Sequence, residues 1–320
     1  MLTGIGLTAV ASPALAASSA ACLDPVVWVS SGDYATPGGG LRAYAIDPAT
    51  GAIGAVTQEV TLDRSFGDIA ITSDGATLYG VTFDAAPELF TIDATDGSAV
   101  SLGPIEDSDG TVVTGLNALT VTPDGELYAG SSNWRNVWTL DPATGILALP
   151  YFLTLPLDAA NDPLSASGDI LTLADGSLLV AALDLNDPAQ GTFLVRVAPG
   201  SSTPEIVGTM PMAFGMAQSN GWIYFAREDG DLAYLAASDV PTTPSEAPIA
   251  FTGSVATGLD LWGATATGDV ALGCPPATAP TPDPGPELAA TGWDPSGFLL
   301  GGAGLLLVAA LLVPLRRRAR

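Results

Sequence analysis

The chain contains no histidine and no lysine. Without histidine there is no Ser-His-Asp triad, no Cys-His pair, no His-ligated zinc and no imidazole base. Cysteine occurs only at Cys22 and Cys274, which excludes a four-cysteine zinc or iron–sulfur site. Positive charge is also scarce: nine arginines stand against 34 acidic residues, a net charge of −25 over 320 residues. Nucleic-acid binding rests on Lys and Arg contacts to phosphate, so the composition argues against nucleic acid as a partner. Such acidity keeps a surface soluble and repels polyanions, while attracting cations or basic partners. What is abundant is apolar and turn-forming: 48% of residues are hydrophobic and only 13% charged, with 37 Gly and 26 Pro. Many turns, little charge and frequent β-branched residues predict an all-β protein.

The two ends read as address labels. Residues 1–21 are uncharged, apolar and rich in small side chains, as in a secretory signal peptide. Ala14-Leu15-Ala16 fits the small-x-small cleavage rule. The usual basic n-region is missing, which suggests a start codon further upstream or one wrongly chosen. Lipidation at Cys22 is the other reading, although a lipobox expects a Leu-like residue where Ser19 stands. At the other end, Leu288-Ala289-Ala290-Thr291-Gly292 precedes an apolar run over 298–315 and the tail Arg316-Arg317-Arg318-Ala319-Arg320. An 18-residue helix there would span about 27 Å, just enough for a hydrocarbon core. The arginines would hold that end in the cytoplasm.

This order of motif, span and basic tail resembles the cell-wall sorting signal of Gram-positive surface proteins, in the LAXTG variant found in high-GC actinobacteria. The resemblance implies that a sortase cleaves between Thr291 and Gly292 and joins Thr291 to peptidoglycan. An ordinary single-pass anchor is the alternative. Residues 275–287 (PPATAPTPDPGPE) read as an extended polyproline stalk that lifts the preceding domain off the wall. The expected organisation is therefore a signal peptide at 1–21, a folded domain at 22–274, a stalk at 275–287 and a sorting signal at 288–320. Contact with the membrane would be limited to the precursor's 298–315 helix.

The middle repeats. Two apolar strands flank a tight turn in DIAITS-DG-ATLYGVTF (68–83), LNALTVTP-DG-ELYAGSS (116–132), DILTLA-DG-SLLVAAL (169–183), GMAQS-NG-WIYFAR (215–227) and LDLWGATAT-GD-VALG (259–273). The turn glycines Gly75, Gly125, Gly176, Gly221 and Gly268 are spaced 50, 51, 45 and 47 residues apart. Asp-Gly and Asn-Gly between apolar runs are strong hairpin signals, because such turns need positive φ. Third strands are expected at 88–93, 136–141, 192–197 and 231–236. Fourth strands are expected near 98–105, 146–154, 205–210 and 246–253. DPATG at 47–51 and 141–145 and DATDG at 93–97 supply turns between them.

The chain thus opens in the second half of a unit and closes with a first half. That phase offset suits a β-propeller of four-stranded blades with one blade shared by the chain ends. Five blades are expected, with six or seven as alternatives, because VVWVSS (26–31) competes with VALG (270–273) for one place in the closing blade. The repeats resemble those of secreted bacterial propellers of the YVTN and WD type. In a secreted chain, Cys22 and Cys274 most simply form one disulfide that latches the ring, the alternative being two buried thiols.

Asp68, Asn117, Asp169 and Asp260 fall at or near the start of the channel-lining strands. Converging oxygens of this kind can hold Ca²⁺, or they can bond neighbouring backbone as Asp and Asn often do. Carboxylates in a five-bladed channel also resemble those of glycosidases with that fold, which use two carboxyl groups. Trp134 and Arg135, in the polar loop SSNWRN, are the best candidates for stacking a glycan or peptide. Trp138, Trp222 and Trp262 lie in expected strands and read better as core. The resulting expectation is a non-catalytic surface propeller that binds an extracellular protein or glycan. Its rival is a surface carbohydrate-active enzyme using channel aspartates.

Overall fold

A computed structural model describes residues 25–32, 38–122, 124–148, 153–184 and 186–266. The signal segment, both cysteines, VALG, the Pro-rich stretch and the sorting signal with its 298–315 run lie outside these residues, as does Gly268. Among the described residues, no helix is long and apolar enough to cross a membrane.

The strands form five antiparallel blades. Their innermost strands are Asp68–Ile71, Leu116–Val121, Leu164–Thr172, Ala213–Ser219 and Leu261–Ala266. Each packs against the next in that order, and the last packs against the first, so the ring is closed. The third strands occur where expected, at Glu88–Ile92, Asn136–Asp141, Thr192–Val197 and Asp231–Ala236.

Closure follows one of the two alternatives left by the sequence. Val26–Gly32 pairs with Leu261–Ala266 on one side and Gly39–Ile46 on the other, and Ile53–Leu62 completes the blade. VVWVSS therefore holds the second place in the closing blade. The N-terminal segment supplies three strands and the C-terminal segment one, rather than two and two.

Why the strands read as continuous apolar runs is now clear. Blades stack face to face, so both faces of a strand are buried. Ile170, Val180, Phe193 and Val195 face the second blade, whereas Leu171, Leu179 and Leu194 face the fourth. Likewise Val27 and Val29 pack toward the fourth blade and Trp28 toward the first. The period of two is intact, but both phases are hydrophobic. The core is accordingly divided into five clusters, one per interface between blades.

The turns partly depart from expectation. Asn220-Gly221 is the two-residue hairpin with both φ positive, at 51° and 80°, joining the Ser219–Trp222 pair. At the Asp-Gly turns only Gly75, Gly125 and Gly176 have positive φ, and Asp74, Asp124 and Asp175 do not. There the glycine N–H donates to the carbonyl three residues back, Thr72, Thr122 or Leu173. This is a type I turn followed by a left-handed glycine, a longer hairpin loop with the same letters. The DPATG turns behave as read: Asp47 and Asp141 accept from Ala49 and Ala143 N–H at 2.9 Å, and Gly51 and Gly145 take φ near 70°.

The fourth blade is also corrected. Its outer strand is Gly253–Ala256 rather than 246–253. Residues 245–249 instead run along the edge of the third blade, where Thr209 N–H donates to Ala247 and Ile249 N–H to Thr209. Glu106–Asp107 covers the edge of the second blade in the same way, pairing with Ile146–Leu147. Connections thus shield edge strands that would otherwise present unpaired backbone.

Candidate functional site

The four residues expected to converge on a cation take three different places. Asp68 and Asp169 are fully buried among the innermost strands. Asp68 accepts from its own neighbour Ile69 N–H at 2.8 Å and from Leu119 N–H of the next blade at 2.7 Å. Ala264 N–H, from the preceding blade, is a third donor to it. Asp169 repeats the pattern with Ile170 N–H at 2.7 Å and Met216 N–H at 3.2 Å. Asp68 opens its strand, whereas Asp169 sits inside its own, in the bulge between Ala166 and Ile170; each ties adjacent blades together at the axis. The space around Asp68 is full: a Cβ on Gly263 would lie 2.5 Å from its Oδ1. Burial pushes the Asp68 carboxyl well above the usual carboxylate range, against the three N–H donors that favour its anion.

Asp260 stands apart, exposed in the loop before the last inner strand. Its backbone carbonyl accepts from Gly32 N–H at 3.3 Å. Among the described residues, the acidic side chains that do converge are Asp158, Asp162 and Asp184.

Asn117 lines a cavity of about 210 Å³ with Gly67, Phe83, Ser132, Ser167, Leu183, Phe214 and Trp262. These residues come from all five blades, which puts the cavity at the mouth of the ring axis. Phe214 and Trp262 stack with centroids 5.0 Å apart and planes 19° off parallel. Trp262 Nε1 donates to Gly32 O across the closing blade, which fixes the indole. Asn117 is 9% exposed, and its Oδ1 has no hydrogen-bond partner among the described residues.

β-Bulges put these side chains there. Gly130 faces Ala118 and Ser131 faces Leu116, so Asn117 is an extra residue in its strand. Phe214 is extra between the Ala213–Arg227 and Gly215–Ala226 pairs. Trp262 and Gly263 together oppose Ser30. Ser167, Gly168 and Asp169 together oppose Ala181. A bulge breaks the alternation of a strand and re-aims one side chain. In four blades it turns a residue that would pack between blades toward the axis.

Trp134 and Arg135 are not brought together as a stacking pair. Trp134 is exposed, in the same loop as the cavity residue Ser132. The Arg135 guanidinium donates to Leu155 O and so braces the outer part of the second blade. Trp138 is buried core and Trp222 covers Gly51, whereas Trp262 turns out to be a cavity residue. The signal for the missed wall residues Phe83, Phe214 and Trp262 was an aromatic just before or after the small residues of a strand. For Phe214 and Trp262 it could not be read without knowing where the bulges fall.

No protein-family model matches the sequence, and no curated protein matches it in sequence. Among solved structures, a protein of unknown function from Bacteroides thetaiotaomicron aligns with a TM-score of 0.45 at 14% identity, over 77% of this chain and 71% of that one. The periplasmic gluconolactonase of Pseudomonas aeruginosa gives 0.38 at 16%, over 72% and 67%. TolB from Acinetobacter baumannii gives 0.41 at 16%, over 71% of this chain, which spans 55% of TolB. At these identities and scores no substrate or reaction passes from them to this chain, whose five-bladed architecture stands on its own strand pairing.

Proposed function

We propose that this chain is a secreted, wall-displayed propeller that holds a small ligand at the mouth of its axis. The observation that carries the reading is the cavity built from all five blades, with stacked aromatic walls and the buried, unpaired Asn117 Oδ1. A dry cavity of roughly 150 Å³ already accommodates a benzene ring. The site here therefore suits one flat ring with a few substituents and an N–H or O–H for Asn117. Aromatic walls favour stacking on such a ring.

The glycosidase-like reading needs two carboxyl groups about 5–10 Å apart beside the substrate. None of the eight cavity residues ionises, and both Asp68 oxygens already accept backbone N–H groups. Binding is the better-supported role.

Ligand-observed NMR with the full chain and a panel of aromatic and sugar fragments tests it. Ring compounds bearing a donor are expected to bind, and Trp262→Ala is expected to weaken them at least tenfold. Asn117→Ala should weaken only those with the donor. Binding indifferent to Trp262→Ala would remove the axial cavity from consideration.

Wall display is supported by the sorting-signal resemblance at 288–320 alone. Replacing Thr291 with Ala is expected to move the protein from the wall fraction to the membrane or the medium. Unchanged wall-linked protein after muramidase digestion would show that this motif is not the anchor.

A further inference from the structure

We infer that Asp158, Asp162 and Asp184 form a calcium site on the third blade, separate from the axial cavity. Their ligand oxygens lie within 4.8 Å of one another. Two short loops of nearly the same letters supply them: Leu157-Asp158-Ala159-Ala160-Asn161-Asp162-Pro163 and Leu183-Asp184-Leu185-Asn186-Asp187-Pro188. The first enters the third blade's innermost strand and the second leaves the strand beside it. Leu164 pairs with Asp184, so the two loops stand side by side.

Each carboxylate is held by one oxygen. Asp158 Oδ1 accepts from Asp162 N–H at 2.8 Å. Asp184 Oδ1 accepts from Asn186 N–H at 2.7 Å, and Asp162 Oδ1 from Asn186 Nδ2 at 3.1 Å. One asparagine thus orients two of the three acids, as an outer-shell residue does around a metal. The first loop is closed by Asn161 in the left-handed region, at φ 69°.

A second, independent observation points to a cation. Asp184 is only 1% exposed, and its Oδ2 has no hydrogen-bond partner among the described residues. A buried carboxylate oxygen without a donor is destabilising unless something positive meets it. Among the described residues no arginine does so. Arg42, Arg64, Arg196 and Arg227 form ion pairs with other acids, and Arg135 donates to Leu155 O. Glu246 adds to the local negative charge, its Oε1 accepting from Ala159 N–H at 3.0 Å. Three hard, anionic oxygens with no nitrogen or sulfur ligand select calcium or magnesium over transition metals. Calcium is favoured because loop-borne carboxylates tolerate its variable geometry better than the strict octahedron of magnesium.

The test is calorimetric titration of CaCl₂ into the full chain stripped with EGTA. One calcium per chain is expected, with a Kd near the 10⁻⁴–10⁻³ M range of extracellular modules and weaker binding of magnesium. Asp184→Asn should weaken calcium at least tenfold. Asp162→Asn, at a less buried position, should do the same and guards against a folding defect in the first variant. Asp74→Asn, in a surface turn, should leave binding unchanged. Absence of saturable heat up to 10 mM calcium (about ten times the upper end of that range) would overturn the inference. So would a calcium affinity that neither Asp184→Asn nor Asp162→Asn alters.

Discussion

Asp68→Ala is expected to lower the melting temperature by about 10 °C. The side chain accepts N–H bonds from Ile69, Leu119 and Ala264, which belong to three consecutive blades around the ring. Truncation leaves these donors buried without partners, at about 1–3 kcal/mol each. Relief from burying a carboxyl offsets part of that, leaving roughly 3 kcal/mol, and each kcal/mol shifts a domain of this size by about 2–4 °C. Asp68→Asn keeps one acceptor and should fall between the variant and the parent. Melting of both variants within 2 °C of the parent would show that the axis does not depend on this carboxyl.

The same residue gives a pH signature with a defined sign. Its folded pKa is raised by burial, while in the unfolded chain it titrates near 3.9. The folded state therefore keeps a proton that the unfolded state has lost. Its stabilising contribution is complete below about pH 4 and is lost as pH rises through the folded value. The gap in melting temperature between the parent and Asp68→Ala should narrow from pH 4 toward pH 8. A gap that widens over this interval would mean that the anion is the favoured buried form.

A chain that begins at residue 33 is expected not to fold cooperatively. Val26–Gly32 is the link between Leu261–Ala266 and the rest of the closing blade. Without it the last innermost strand has no partner within its own blade among the described residues, and two interfaces between blades lose residues. Val27 and Val29 are fully buried and Trp28 is 7% exposed. At about 1.5–3 kcal/mol for each large apolar side chain, their loss alone removes roughly 5–8 kcal/mol, comparable with the whole stability of a domain. Near-UV circular dichroism should lose its fine structure, and thermal melts should lose their sigmoid. A truncated chain with a sharp transition near that of the parent would show that the ring closes by another route.

Much of the architecture was legible because propeller repeats carry redundant signals. The turn glycines set the period, the DPATG and DATDG turns mark the second half of three units, and the offset between chain ends points to a shared blade. What could not be read was which segment fills the contested place. VVWVSS and VALG are equally apolar, and only pairing with Leu261–Ala266 on one side and Gly39–Ile46 on the other separates them. The outer strand of the fourth blade was misplaced for a related reason. Residues 245–249 have the letters of a strand and do pair, but with the edge of the third blade.

By itself the sequence determined the fold class, the repeat, the acidity and the absence of imidazole and lysine chemistry. These are local or compositional properties, carried by residue type and spacing. The tertiary structure decided the sites. The position of Asn117 near the start of a channel strand was legible, but a bulge inserts one residue without changing composition, so nothing in the letters says that Phe214 and Trp262 leave their strands' alternation and face the axis. Burial likewise decides between the roles of one residue type. Asp68 and Asp169 are consumed by backbone N–H groups of neighbouring blades, while Asp158, Asp162 and Asp184 meet with oxygens to spare. Both outcomes depend on which strands lie side by side in the ring, a long-range fact that spacing along the chain does not encode.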